Sequence, residues 1–280
     1  MPKINPVLLK ELRERFRTPK TAILVSLYLL VIGGFSLGFI YLRFKDTAGF
    51  FQPWYSKEIF AVLSVVQLVL LAFVTPGLTA GTISGERERQ TLNVLLTTKL
   101  SPVSIIISKM VSSCSFTVLL LLATLPLYSI VFIFGGISPA QVFGLLGFYL
   151  VSMFLFASIG IACSTHFKRT GVSTVTAYGI VFAIGAGTGF LAVFLWEIYR
   201  MHTMVTQTPL VVQLLQNSNP VMVLFRILGQ NAVLGHEQEL FLPYWGIYTV
   251  IYLLTGTLLL IWAAIKLNPQ QRSKFLLFWK

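Results

Sequence analysis

The chain has 280 residues, 56% of them hydrophobic and 11% charged, with a mean hydropathy of +0.82. That balance excludes a soluble globule with an ordinary polar surface. Apolar runs of about 20 residues without strand alternation select helices, because in lipid each segment must satisfy its own backbone; the expected fold is one all-α integral membrane domain over residues 1–280.

In chain order, Asn5 can cap a helix with Pro6 in its first turn, running to Thr18. Leu8, Leu9, Leu12 and Phe16 share an arc of about 100° on the helical wheel, with Lys10, Glu11, Arg13, Glu14, Arg15 and Arg17 on the remainder. Residues 1–20 therefore read as an amphipathic interfacial helix whose basic face suits anionic lipid headgroups or, as the alternative, an acidic patch on a partner. The apolar run over 21–42 is too long for a signal h-region and has no convincing Ala-x-Ala site, so it is expected to stay attached as the first span. Gly34 and Gly38 give this span a small-xxx-small face for close helix packing. Residues 43–58 form a polar loop with Trp54 and Tyr55 as interfacial aromatics, and the second span covers 59–80 with a kink at Pro76.

Residues 81–102 are the one stretch that turns polar in an ordered way. Leu92, Leu95 and Leu96 fall within about 100° on the wheel, with Arg87, Gln90 and Thr98 on other sides, which predicts one short amphipathic helix. Ser84 and Gly85 suit its entry, Glu86 and Glu88 put negative charge at its positive end, and Lys99 and Pro102 close it. Its charged first turn makes it a candidate contact for a soluble partner; the plainer alternative is a solvated connector.

The third span is expected over 103–134, with Lys109 in the headgroup region and a kink at Pro126, and the fourth over 140–164 after a tight turn at 135–139. A fifth over 172–195 carries a second small-residue face at Gly185 and Gly189. Residues 196–244 hold two apolar pieces, 209–215 and 221–228, each too short to cross, so short external re-entrant or surface helices are expected before the sixth span at 245–265.

With the N-terminus inside, 16 of the 21 Lys and Arg fall on the cytoplasmic side, and only Arg43, Lys45, Lys57, Arg200 and Arg226 fall outside. This asymmetry follows the positive-inside rule for six spans with both termini cytoplasmic. The net charge of +12 then reports orientation, and no nucleic-acid partner is expected. Cys114 and Cys163 lie in apolar runs as small core residues. His166, His202 and His236 are isolated from one another, so no catalytic or metal constellation is expected. The chain has no Gly-x-x-x-x-Gly-Lys-[Ser/Thr] loop and no mid-span carboxylate, which argues against its own nucleotide site and against ion-coupled transport.

The run from Ile83 to Ser101, Ile-Ser-Gly-Glu-Arg-Glu-Arg-Gln-Thr-Leu-Asn-Val-Leu-Leu-Thr-Thr-Lys-Leu-Ser, resembles the cytoplasmic loop between spans 2 and 3 of ABC-2 type export permeases. That family's pattern is roughly Ile-Ser-x-Glu-Arg-Glu-x-Gly-Thr-Leu-Glu-x-Leu-Leu-x-Thr-Pro-Leu-Ser. Gln90, Asn93 and Lys99 stand where the pattern has Gly, Glu and Pro. Residues 5–13 are similar to the family's amphipathic opening helix, and the six-span layout extends the likeness over most of the chain. The resemblance implies a half-transporter in the cell membrane that pairs with a second permease, identical or homologous, and with two cytoplasmic ATPase subunits. The partner subunits would hold ATP and Mg, and this chain no cofactor. Glu86, Arg87, Glu88, Arg89 and Leu92, with Arg13 and Arg17 of the opening helix, would couple the permease to the ATPase, tilting spans 1, 2 and 5 around a central path. The alternatives are a scaffold or sensor subunit that moves no substrate and, less favoured by these spans, a passive channel.

Overall fold

The computed structural model describes residues 11–13, 16–46, 53–97, 101–133, 137–203, 208–229 and 243–267. Among these the regular structure is all helical: α1 (Pro19–Asp46), α2 (Pro53–Thr79), α3 (Ser84–Glu88), α4 (Leu92–Leu96), α5 (Pro102–Ala123), α6 (Leu125–Ile133) and α7 (Pro139–His166). Then α8 (Thr170–Phe182) continues through a π-helical turn (Ala183–Gly187) into α9 (Thr188–Thr203), followed by α10 (Leu210–Ser218), α11 (Pro220–Ile227) and α12 (Tyr244–Leu267). Among the described residues, six stretches are long and apolar enough to cross a membrane, in the order expected. The opening helix is described only at residues 11–13 and 16–17, which are helical, and the side chains of Trp54 and Tyr55 and all of residues 268–280 lie outside the described residues.

Three helices begin where the sequence places a capping side chain before proline. The Ser101 hydroxyl accepts the Ser104 N–H ahead of Pro102, Ser138 and Gln141 form a reciprocal capping box around Pro139, and Asn219 caps α11 ahead of Pro220. The third span is interrupted near Pro126, where the sequence places a kink. It breaks at Thr124, between α5 and α6, because Pro126 has no N–H to offer the preceding turn and its ring crowds that turn's carbonyl.

The fourth span, α7, is the central post. Tyr149 is fully buried on it and donates to the Ser64 carbonyl of α2 at 2.8 Å, and Ser152 meets the Tyr248 hydroxyl of α12 at 2.8 Å. Two glycines let helices touch closely. A Cβ on Gly160 of α7 would collide with the Thr79 hydroxyl and lie 2.9 Å from the Thr79 Cβ, and one on Gly256 of α12 would lie 2.5 Å from a Phe154 ring carbon.

At the end remote from residues 81–102, α9 carries on as helix to Thr203, past the expected end of the fifth span. The two short apolar pieces form α10 and α11, nine and eight residues long, with the break at Asn219 as the Asn-Pro pair suggests. Arg226, counted in the sequence as an external charge, is buried on α11, donating to Asn217 Oδ1 and at 3.1 Å to Gln216 Oε1.

Candidate functional site

The polar loop after α2 is built differently from the single helix the leucine spacing predicts. It is two five-residue helices, α3 and α4, separated at Gln90, whose φ of +60° is the only positive value among the described non-glycine residues. Thr91 N–H reaches back to the Glu86 carbonyl and Gln90 N–H to that of Arg87, so Gln90 occupies the left-handed position that closes a helix and that glycine fills most easily. The family pattern has glycine at this place, where this chain carries Gln90. Residues 98–100, including Thr98 and Lys99 at the expected end of the helix, lie outside the described residues.

The expected entry cap is also different. Ser84 does not cap its own helix. Ser164, near the end of α7, accepts the N–H groups of Ile83 at 2.8 Å and Ser84 at 2.9 Å, two of the donors a helix start leaves unsatisfied. The exchange is returned. Arg87 donates to the carbonyls of Phe167 at 3.0 Å and Thr165 at 3.3 Å, meeting the negative C-terminal end of α7. Glu88 accepts the N–H and the hydroxyl of Thr170, both at 2.8 Å, capping the start of α8, whose own cap residue Arg169 makes no side-chain cap bond. The Thr170 N–H first, then its hydroxyl and the charge of Arg169, hold the exposed Glu88 carboxyl below the usual carboxylate range.

A second tie reaches the third span. Lys109 on α5 is 4% exposed and pairs with Glu11 of the opening helix at 2.9 Å and with Glu86 of α3 at 3.3 Å. Lys109, expected at the headgroup end of its span, thus sits in a buried junction of three segments. A buried ammonium is stable only with such partners. Phe16 adds a ring contact to Phe116 of α5, with centroids 6.3 Å apart. Under the loop, Leu92 joins Ile83, Ile105, Ile106, Ile161 and Ala264 in a small separate core.

Of the residues the sequence singles out for coupling, Glu86, Arg87 and Glu88 are therefore engaged with this chain's own helices, Leu92 is buried, and Arg89, Arg13 and Arg17 are exposed. The glycines divide as well. Around Gly34, Gly38 and Gly185 a Cβ would meet nothing within 4 Å among the described residues, whereas at Gly189 it would lie 3.1 Å from Asn219 Nδ2. Lys109, Ser164 and Thr170 are missed by reading the sequence locally, because their partners lie far along the chain.

Six apolar crossings, joined on one face by a loop tied to three of them, define a multi-pass helical membrane protein. The family profile described as ABC-2 family transporter protein matches residues 6–265, and the chain belongs to that family. It is a membrane permease of an ABC transporter, in a family whose permeases associate with ABC ATPases and are typically non-catalytic membrane subunits. No curated protein matches the chain.

Proposed function

We propose that the chain is one permease half of an ATP-driven exporter, coupled through residues 81–102 to a separate cytoplasmic ATPase that holds ATP and Mg. The observation that carries this reading is the reciprocal capping between α3 and the facing ends of α7 and α8. A loop so tied cannot be pushed without moving those two helices, and Lys109 passes the same displacement to α5 and the opening helix. Arg89, with Arg13 and Arg17, is among the exposed charges at this end that a partner would read. A second permease would cover α1 and the α8–α9 span, whose best apolar windows are only 17% and 11% buried within the chain.

The test is Arg89→Glu in the chain co-expressed with its cognate ATPase. Because Arg89 is exposed, the fold is expected to survive, and reversal of an interfacial charge should lower co-purification or ATP-driven export about tenfold or more. Unchanged assembly and export would remove the coupling role. ATPase binding without ATP-driven movement of any substrate would favour the scaffold alternative. Sidedness is tested by labelling, with Gln238→Cys expected to react from outside the cell and Ser273→Cys only after permeabilisation.

A further inference from the structure

The fifth span contains one irregularity, and one side chain from another element is built into it. Within Ala183–Gly187 the helix takes a π turn, so the Thr188 N–H bonds to the Ala183 carbonyl and not, as an α-helix would have it, to Ile184. Ile184 is thereby displaced from the ordinary ladder, and the Thr188 hydroxyl turns back to its carbonyl. Asn219, fully buried between α10 and α11, completes the repair: its Nδ2 donates to the carbonyls of Gly185 at 2.6 Å and Ile184 at 3.2 Å and to Thr188 Oγ1 at 2.8 Å. Its Oδ1 faces the other way and accepts the N–H groups of Val221 and Met222 at 2.8 and 2.9 Å, starting α11. Gly189 makes the approach possible, since a Cβ there would crowd the same amide nitrogen. Next to it, the Ser218 carbonyl accepts the Tyr252 hydroxyl of α12 at 3.1 Å, so the short hairpin bridges the π turn and the sixth span.

We infer that Asn219 is a positioning residue that holds the fifth span in its π register and so sets the rotation of α9. A π turn takes up one residue more than an α turn, and one residue is about 100° of helix rotation. The bulge costs free energy in isolation and persists where surrounding groups satisfy it. Here those groups are the amide of Asn219 and the hydroxyl of Thr188, each bonded to the other as well as to the bulge. Without them the span relaxes toward a continuous α-helix, and the face that α9 presents to its surroundings turns with it. That this face borders an exit path rests on the exporter reading; the rotation does not, and it can be measured without a partner or a substrate.

The experiment uses the full chain in lipid nanodiscs, with Cys114→Ser and Cys163→Ala, and spin labels at Phe143→Cys on α7 and Phe194→Cys on α9, both exposed positions. With side chains at a radius of about 5–6 Å, a 100° rotation displaces an outward label by roughly 8 Å. Asn219→Asp keeps the acceptor that caps α11 but puts oxygen where the donor stood, and Thr188→Val leaves the cap untouched while removing the hydroxyl. Both are expected to add or shift to a second distance several ångström from the parent one, and Thr188→Ser, which restores the hydroxyl, is expected to restore the parent distance. A single parent-like distance in Thr188→Val overturns the inference and reduces Asn219 to an ordinary helix cap, including where Asn219→Asp fails to yield folded protein.

Discussion

Two spans of almost equal apolarity have opposite fates. The windows of the first and fourth spans have mean hydropathies of 2.4 and 2.2, yet 17% of the one and 61% of the other is buried within the chain. Hydropathy reports the transfer of a helix from water to lipid, and both pass that test. Association between helices already in lipid has no further hydrophobic driving force and depends on close backbone approach and polar contacts. The fourth span has these: Gly160 against Thr79, Tyr149 on the Ser64 carbonyl, and Ser152 on Tyr248. Among the described residues, nothing lies within 4 Å of where a Cβ on Gly34 or Gly38 of the first span would stand.

The strongest way to break the contrast is Gly160→Val. Its first carbon would collide with Thr79 Oγ1 and press on the Ala80 backbone nitrogen at 3.2 Å, forcing α2 and α7 apart. A cost of about 3 kcal/mol is expected from overpacking of this kind, read as a lowered melting temperature in detergent. Gly256→Val should cost less, because its nearest neighbour, Phe154, offers the edge of a side-chain ring that can swing.

Next in size is Lys109→Met, which leaves two carboxylates facing each other without their cation. Removing one partner of a fully buried pair costs about 3–5 kcal/mol, and with Glu11 and Glu86 side chains 20% and 34% exposed an effect of about 2 kcal/mol is expected. Protease cleavage near residues 11–17 should accelerate in parallel; a melt and a cleavage rate equal to those of the parent would contradict the junction.

Gln90→Gly should stabilise the chain by up to about 1 kcal/mol, since a non-glycine residue pays roughly that to hold the left-handed conformation and glycine does not. A lower melting temperature for this variant would count against the break between α3 and α4. The smallest effect on stability belongs to Gly34→Val and Gly38→Val, expected within about 0.5 kcal/mol of the parent because the added atoms meet nothing. Their effect should appear only in association with a second permease, measured by cross-linking in membranes. Equal loss of stability at Gly34 and Gly160 would erase the contrast between the two spans.

Features governed by near neighbours along the chain are legible in the sequence. The six apolar stretches, the Ser138–Gln141 capping box, the two short helices parted at Asn219 and the disturbance caused by Pro126 are all decided within a few residues. The loop is legible as polar and helical but not as broken, because leucine spacing reports a face and says nothing of the φ of Gln90. Lys109 escapes the sequence for a different reason. Its partners, Glu11 and Glu86, lie 98 and 23 residues away, and no local pattern ties them together. Likewise a glycine pair at i, i+4 is visible in the first span, while the glycines that seat helices inside the chain, Gly160 and Gly256, have no second glycine four residues away.

The reciprocal caps also impose an order on biosynthesis. Ile83, Ser84, Arg87 and Glu88 wait for groups that lie 78 to 82 residues further along, at Ser164, Thr165, Phe167 and Thr170. At about 5–20 residues per second, a ribosome needs roughly 4–16 s to make that intervening stretch. Throughout that interval water alone meets the open ends of α3, while the third and fourth spans are still being inserted. The loop is therefore among the last parts of this end of the protein to set, and a nascent chain truncated before Ser164 would lack every one of these partners and leave the loop unfastened.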